Sequence, residues 1–389
     1  MKLNRNSYIN TRRDAWVEVN LDFIEQNVRE VKKIMSAKSK LLAVVKADAY
    51  GHGAVMTAPS LLASGVEFLG VASIDEGVQL REAGISAPIL VLGTVPVWSM
   101  NSASVNDITV SIFSDAHIEA CKVAYEKNGL VTKAHIKVDT GMNRIGVGVK
   151  DAVDFINKVK KEPSIRLEGI FTHFACAENL EKTQQQNEKF QKVLEQIDTK
   201  NLLIHTNNSA AILSGINSKT DMSRAGIVLY GLMPDISAGC APRTEKNGAR
   251  CAPCCDFKQA LSLKGRIASI HEAQANEGVS YSHTYVTSEK IKIATVPIGY
   301  ADGVSRKLSN KLIAGLKGKK IKQIGNITMD QMMFDITSID AKEGDIVTLL
   351  GQDGENFFSL DDWAKELETI NYELACRLKV RLARVYTRM

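Results

Sequence analysis

Up to Tyr230, hydrophobic and polar positions repeat one alternation: a short β-branched run, a polar turn, then a stretch with apolar residues every three or four positions. The runs fall at 40–46, 68–73, 88–93, 108–113, 134–139, 167–174, 202–207 and 222–230, eight in all. Between them the spacing is helical. In 21–35, for example, Leu21, Ile24, Val28, Val31 and Ile34 share one face. Further helical stretches are expected at 75–83, 115–127, 151–160 and 183–197. Asp or Ser/Thr often stands at their starts, where a side-chain oxygen satisfies free backbone N–H groups. Eight strand–helix units within ~200–250 residues fit a (β/α)8 TIM barrel. A doubly wound open sheet is the alternative, but it expects a glycine-rich phosphate loop after its first strand, and the sequence has none there.

Beyond Tyr230 the texture changes. Residues 231–256 are irregular and rich in Gly, Pro and Cys. Strand-like runs then follow at 259–269, 291–298, 320–324, 332–336, 345–350 and 375–386, with one helical stretch at 360–368. The expected organisation is an α/β barrel over 1–235, a Cys-rich linker over 236–258 and a β-rich domain over 259–389. The first residues are open to pairing with the second domain.

Composition narrows the classes. Of 389 residues, 44% are hydrophobic and 24% charged, an ordinary globular balance. The net charge of +5 is spread along the chain, so nucleic-acid binding has no electrostatic case. No apolar run approaches the ~20 residues of a membrane-spanning helix, and the polar N-terminus lacks the apolar core of a secretory signal. Seven cysteines, an odd number, read as reduced thiols of a cytoplasmic protein. Four of them, Cys240, Cys251, Cys254 and Cys255, cluster in the linker. Their spacing is not that of a zinc ribbon and adjacent cysteines chelate poorly, so no metal is expected.

Candidate chemistry begins with Lys46, which closes the apolar run Leu41-Leu42-Ala43-Val44-Val45. Barrel enzymes place their reactive groups at the C-terminal ends of strands, and desolvation there favours Schiff-base chemistry on an amine. Position alone equally allows a strand-end lysine reaching to solvent. The wider segment is Ala43-Val44-Val45-Lys46-Ala47-Asp48-Ala49-Tyr50-Gly51-His52-Gly53. It closely resembles the pyridoxal-phosphate attachment site of alanine racemases. Matching motifs follow in order: Val138-Asp139-Thr140-Gly141-Met142-Asn143-Arg144, Thr172-His173-Phe174-Ala175, His205-Thr206-Asn207-Asn208-Ser209 and Arg224-Ala225-Gly226-Ile227. In the second domain Gly278-Val279-Ser280-Tyr281, Gly299-Tyr300-Ala301-Asp302-Gly303, Met329-Asp330-Gln331 and Asn371-Tyr372-Glu373 match. The resemblance spans nearly the whole chain apart from the cysteine-rich insertion.

The resemblance implies a barrel plus a β-domain, pyridoxal 5'-phosphate as cofactor, and interconversion of L- and D-alanine in a homodimer with shared active sites. It implies that Lys46 anchors the cofactor and is one catalytic base. Tyr281 is then the second base, reaching the site from the partner subunit. Tyr50, Ser209, Gly226, Ile227 and Tyr372 match the phosphate contacts. Arg224 matches the group facing the pyridine nitrogen, with His205 supporting it and His173 beside the ring. Arg144 matches a contact to the cofactor and the substrate carboxylate. Met329 matches a backbone contact to that carboxylate, and Lys137 a position often carbamylated. D-Alanine made this way would serve cell-wall synthesis.

Two departures stand out. The family commonly has Gly-Arg in the motif that here reads Gly325-Asn326-Ile327-Thr328-Met329-Asp330. An arginine there helps line the substrate entrance. Asn326 is neutral, whereas Arg306, matching another entrance arginine, is retained. Loss of that charge raises the expectation of side activity on serine or a basic amino acid. The cysteine-rich insertion is the second departure. Rival readings are a serine or broad-spectrum racemase of the same fold, a barrel-fold decarboxylase and a non-enzymatic pyridoxal-phosphate carrier. A decarboxylase would place a glutamate where this chain has Arg224, and a carrier would lack the second domain.

Overall fold

The computed structural model describes residues 13–216, 220–234, 255–378 and 380–388. The expectations for Cys240, Cys251 and Cys254 fall outside them. The chain divides into two compact units, one formed by 24–49 and 54–257, the other by 1–23, 50–53 and 258–389. Among the described residues no helix is long and apolar enough to cross a membrane.

Strand β1 (Ala15–Asn20) opens the described chain and belongs to the second unit. The first unit holds β2 (Lys40–Val44), β3 (Phe68–Val71), β4 (Ile89–Val91), β5 (Val110–Ile112), β6 (Thr132–Asp139), the short β7 (Val147–Gly148), β8 (Ile165–Phe171), β9 (Leu203–His205) and β10 (Met222–Ala225). Their ladders are parallel, β10 to β2, β3 and β4 on one side and β5 to β6, β8 and β9 on the other. A bridge between Leu90 and Thr109 joins β4 to the approach of β5. Backbone bonds from Asp221 to Ile204 and from Arg224 to Asn207 join β9 to β10. Eight parallel strands thus close into a barrel, with helices between them. Strands so placed are covered on both faces, which is why they are short continuous apolar runs rather than alternating ones.

Helix ends follow local chemistry. Ser73 accepts the Glu76 N–H at the start of Ile74–Glu82, and Asn179 accepts the Lys182 N–H at the start of Leu180–Leu194. Gly129 ends Asp115–Asn128 in the left-handed conformation. One expected strand is shorter than its apolar run. The stretch 222–230 is strand only to Ala225, and Ile227–Tyr230 forms a 3-10 turn. Gly226 separates the two because its N–H goes to the Ser209 side chain rather than to a sheet neighbour.

The second unit is built on β11 (Leu261–Arg266), β12 (Ser269–Ala273), β13 (Gly278–Val279), β14 (Tyr285–Val286), β15 (Ile291–Val296), β16 (Ile313–Leu316), β17 (Lys319–Ile324), β18 (Met332–Asp335), β19 (Ile346–Asp353), β20 (Asn356–Phe358) and β21 (Ala383–Thr387). The main sheet runs β12-β15-β18-β17-β16-β19-β11-β1-β21, with β20 against β19. β1 lies antiparallel to β11 and parallel to β21. The expected strand at 375–386 is corrected: Asn371–Arg377 is a helix and only Ala383–Thr387 is strand. Leu374, Ala375 and Leu378 are buried at helical spacing, and that period prevails over the β-branched tail.

Fully buried Asp302 ties the second unit together. It accepts from Arg13 at 2.6 and 3.2 Å, pairs with Arg381 at 3.0 Å and takes the Gly299 N–H at 2.9 Å. Removing the carboxylate takes the counter-charge from Arg13, while Arg381 keeps Asp330 at 2.5 Å. Both guanidiniums are partly exposed, so Asp302→Ala is expected to cost about 1–3 kcal/mol, read as a lower denaturant midpoint for the full chain. An unchanged midpoint would show that the buried carboxylate does not carry this load.

Candidate active site

At the end of β2 the chain reaches Lys46 and then turns left-handed. Ala47, Asp48, Ala49 and Tyr50 all have φ of 53–54°, a conformation that costs a non-glycine residue roughly 1–2 kcal/mol. Side chains hold this run in place. Glu76 accepts the Ala47 N–H at 2.8 Å with one oxygen and the Ala72 N–H at 2.7 Å with the other. Asp48 accepts the Ala54 N–H at 2.7 Å. Strain of this kind concentrates where a fold must present a group in one orientation.

Four strands further round, β6 directs His135 and Lys137 to one side, as period-two alternation requires. Lys137 is 2% exposed, and its Nζ lies 5.6 Å from the Phe171 ring centre. Burial first, then Arg144, Arg224 and Lys46, pull its amine down to about 8, against an upward pull from Asp139. At the end of the same strand Asp139 accepts the N–H groups of Gly141 and Asn143, which shapes the loop carrying Arg144. Arg144 itself is exposed.

Arg224, on β10, is 3% exposed. Its NH1 donates to His205 Nδ1 at 2.8 Å, and its NH2 donates to the carbonyls of Thr172 and Thr206 at 2.8 Å each. Burial pulls the guanidinium down to about 9, which leaves it charged at neutral pH. A charged Arg has only donors, so His205 Nδ1 must be the acceptor. His205 then donates from Nε2 to His135 Nδ1, 2.8 Å away. Burial and the Arg224 charge hold His205 well below the usual imidazole range and bring His135 to about 3. Both rings are therefore neutral. The His205 ring stacks on Phe171 at 4.6 Å, with 6° between the planes. His173, held low by burial and then by Arg224, Lys137, Arg144 and Lys46, lies 3.5 Å from Arg224 NH2.

Ser209 begins the short helix Ser209–Leu213, but the residue capping that helix is Asn208, which accepts the Ala211 N–H. The Ser209 hydroxyl instead accepts the Gly226 N–H at 2.8 Å, beside Ile227. The barrel unit thus gathers Lys46, Lys137, Arg144, His173, His205 and Arg224 into one electrostatic environment. Ser209, Gly226 and Ile227 stand together after β9 and β10. His135, Glu76 and Phe171 went unread in the sequence. Two-residue spacing from Lys137 was the only signal for His135.

The remaining expected residues belong to the second unit. Tyr50 and Tyr372 meet edge to face, with ring centres 6.0 Å apart. Tyr281 is 72% exposed and Met329 53%. Arg306 is exposed at the start of a 3-10 turn. Asn326, expected to face an entrance, is 5% exposed. It donates from Nδ2 to the Tyr281 carbonyl at 2.7 Å and accepts the Ser280 hydroxyl at its own carbonyl at 2.7 Å. The amide thus turns inward onto the main chain beside Tyr281.

Comparison with known proteins agrees with this arrangement. A family profile described as "Alanine racemase, N-terminal domain" matches residues 19–234, and "Alanine racemase, C-terminal domain" matches 260–386. Alanine racemase 1 of Oceanobacillus iheyensis is 41% identical over 386 residues, covering 97% of this chain and 99% of its own. The alanine racemase of Bacillus anthracis, solved with bound L-Ala-P, superposes with a TM-score of 0.85 at 35% identity, over 97% of this chain and 95% of that one. A histidine racemase of Leuconostoc mesenteroides superposes with a TM-score of 0.88 at 26% identity, over 98% and 100%. The chain, a barrel matched by the first profile and a β-rich unit matched by the second, belongs to the alanine racemase family of isomerases.

Proposed function

We propose that this chain racemises alanine with pyridoxal 5'-phosphate, using Lys46 and Tyr281 as bases on opposite faces of the α-carbon. The observation that carries the reading is Arg224, a buried guanidinium with every stated partner an acceptor, in the unit that also presents Lys46. The donor set of the barrel unit fits the cofactor: an amine for its aldehyde, the Ser209 hydroxyl with the Gly226 and Ile227 backbone for its phosphate, and cations for its negative charge. Tyr50 and Tyr372 are read as phosphate contacts from the family resemblance alone. When bound, the cofactor supplies an electron-withdrawing ring that makes the α-hydrogen acidic. A charged Arg224 offers only donors. Opposite the ring nitrogen it would donate a hydrogen bond and could not stabilise a proton there, leaving the ring a weaker electron sink than a carboxylate partner would. The weaker electron sink favours return of the proton over elimination or transamination. Arg144 and the Met329 backbone hold the substrate carboxylate, and His173 and His205 keep the site neutral apart from its fixed cations.

Tyr281 and Met329, exposed in the single chain, are suited to completing a partner's site in a homodimer. The histidine racemase shows that the architecture does not choose the side chain. Alanine rests on the more similar relatives, among them the one at 41% identity. We place the enzyme in the cytoplasm, supplying D-alanine for cell-wall synthesis.

Borohydride reduction followed by peptide mapping is expected to find the cofactor on Lys46, and Lys46→Ala should give no adduct. An adduct on another lysine would sink the assignment. Tyr281→Phe is expected to slow racemisation by ~10²–10⁴-fold while the cofactor stays attached. Lys46→Ala and Tyr281→Phe chains combined as heterodimers should regain one working site. Verified heterodimers without activity would count against sharing.

Lys137, surrounded by Arg144, Arg224 and Lys46, is suited to becoming an anion by carbamylation. Its neutral amine would take up carbon dioxide and release a proton. Because its amine sits near 8 rather than 10.5, the reactive neutral fraction grows as pH rises through about 8. With labelled bicarbonate, a carbamate carbon-13 signal should appear and be absent from Lys137→Ala. An identical signal in the variant would refute the assignment.

A further inference from the structure

We propose that Asn326 is a positioning residue for Tyr281, an inference that rests on reading Tyr281 as a catalytic base. Tyr281 lies in a stretch of unusual backbone. Ser280 has φ 65° and ψ −173°, a region occupied almost only by glycine. Ser282 and His283 follow with φ of 61° and 45°. Three L-residues in positive φ around one tyrosine do not hold that shape by local preference, because their own Cβ atoms oppose it. Something outside the stretch must hold it.

Asn326 supplies that hold by a reciprocal pair of hydrogen bonds. Its side-chain Nδ2 donates to the Tyr281 carbonyl at 2.7 Å, and its main-chain carbonyl accepts the Ser280 hydroxyl at 2.7 Å. A carbonyl only accepts, so the nitrogen of the amide is the end that faces Tyr281. The two segments approach so closely because residue 325 is glycine. A Cβ there would stand 2.6 Å from the Val279 carbonyl oxygen and 3.0 Å from Ser280 Cβ. Gly325 also has φ of 70°.

The clamp is itself anchored from behind. Asn310 Oδ1 accepts the Gly325 N–H at 2.7 Å, Gln323 Nε2 donates to the Gly325 carbonyl at 2.9 Å, and Ser309 accepts the Ile327 N–H at 2.9 Å. Asn326 is 5% exposed, so water does not compete for its amide. The residue that departs from the family's usual arginine thus acts on the main chain of the base rather than on passing substrate.

Asn326→Asp keeps the shape, removes the donor and sets a carboxylate against the Tyr281 carbonyl. Ser280→Ala removes the other bond. In the holoenzyme each is expected to lower kcat roughly ten- to a hundredfold with KM little changed, as for a displaced reacting group. Cofactor absorbance and Lys46 attachment should stay as in the wild type. Free L- and D-alanine have equal free energies, so kcat/KM must fall by one factor in both directions. The α-deuterium isotope effect should nevertheless rise chiefly in the direction where Tyr281 takes the proton. In a Tyr281→Phe background the same substitutions should add little further loss.

Wild-type kcat and isotope effects in folded Asn326→Asp and Ser280→Ala would overturn the proposal. So would an undiminished loss in the Tyr281→Phe background, with Tyr281 still standing as a base. A harmless Tyr281→Phe would instead remove the base reading, and the proposal with it. If Asn326→Asp does not fold, Asn326→Ser, which also removes the Nδ2 donor, decides by the same kcat and isotope-effect readouts.

Discussion

The buried guanidinium of Arg224 sets conditions that the rest of the barrel must satisfy. A charge at 3% exposure is tolerable only when its donors are matched. The matching groups come from the two neighbouring strand ends: the Thr172 carbonyl after β8, and the His205 ring and Thr206 carbonyl at the end of β9. This demands that β8, β9 and β10 finish at one level, which their parallel registers ensure. It also demands a neutral His205 of one tautomer. His135, a second neutral ring, takes the remaining His205 proton in a hydrogen bond. Gly169 makes room for that ring, since a Cβ there would lie 2.6 Å from His135 Cε1. One cation therefore explains two histidines, a glycine and the alignment of three strands.

Strain is distributed in parallel fashion. Both proposed bases adjoin left-handed, non-glycine backbone, Lys46 before 47–50 and Tyr281 within 280–283. In each place polar side chains from outside the stretch restrain it, Glu76 for one and Asn326 for the other. Such segments do not persist by local preference. Their cost is offset by hydrogen bonds to groups already fixed elsewhere in the same unit.

The barrel's electrostatics carry a similar economy. Lys46, Lys137, Arg144 and Arg224 repel one another, which is part of why the Lys137 amine sits near 8. A dianionic phosphate, a substrate carboxylate and a carbamate would each relieve that repulsion. Neutral histidines between the cations add no charge to be compensated.

The sequence by itself determined the class of fold, because eight short apolar runs alternating with helical spacing, and no glycine-rich loop after the first, fit a barrel better than an open sheet. It also pointed to Lys46, Lys137, His205 and Arg224, each within or just after a barrel strand and inside a specific motif. What it left undecided turned on contacts between distant segments. The expected strand at 375–386 overlaps the last turn of the helix Asn371–Arg377, because the burial pattern there depends on which face the sheet covers. His135 gave no local sign beyond its two-residue spacing from Lys137, since a histidine on a strand gains meaning only when another ring lies 2.8 Å away. Asn326 was read for the charge it lacks, whereas tertiary structure placed its amide on the Tyr281 carbonyl, 45 positions away. Periodicity and motif are properties of neighbours along the chain, whereas hydrogen-bond partnership between remote segments exists only once the chain is folded.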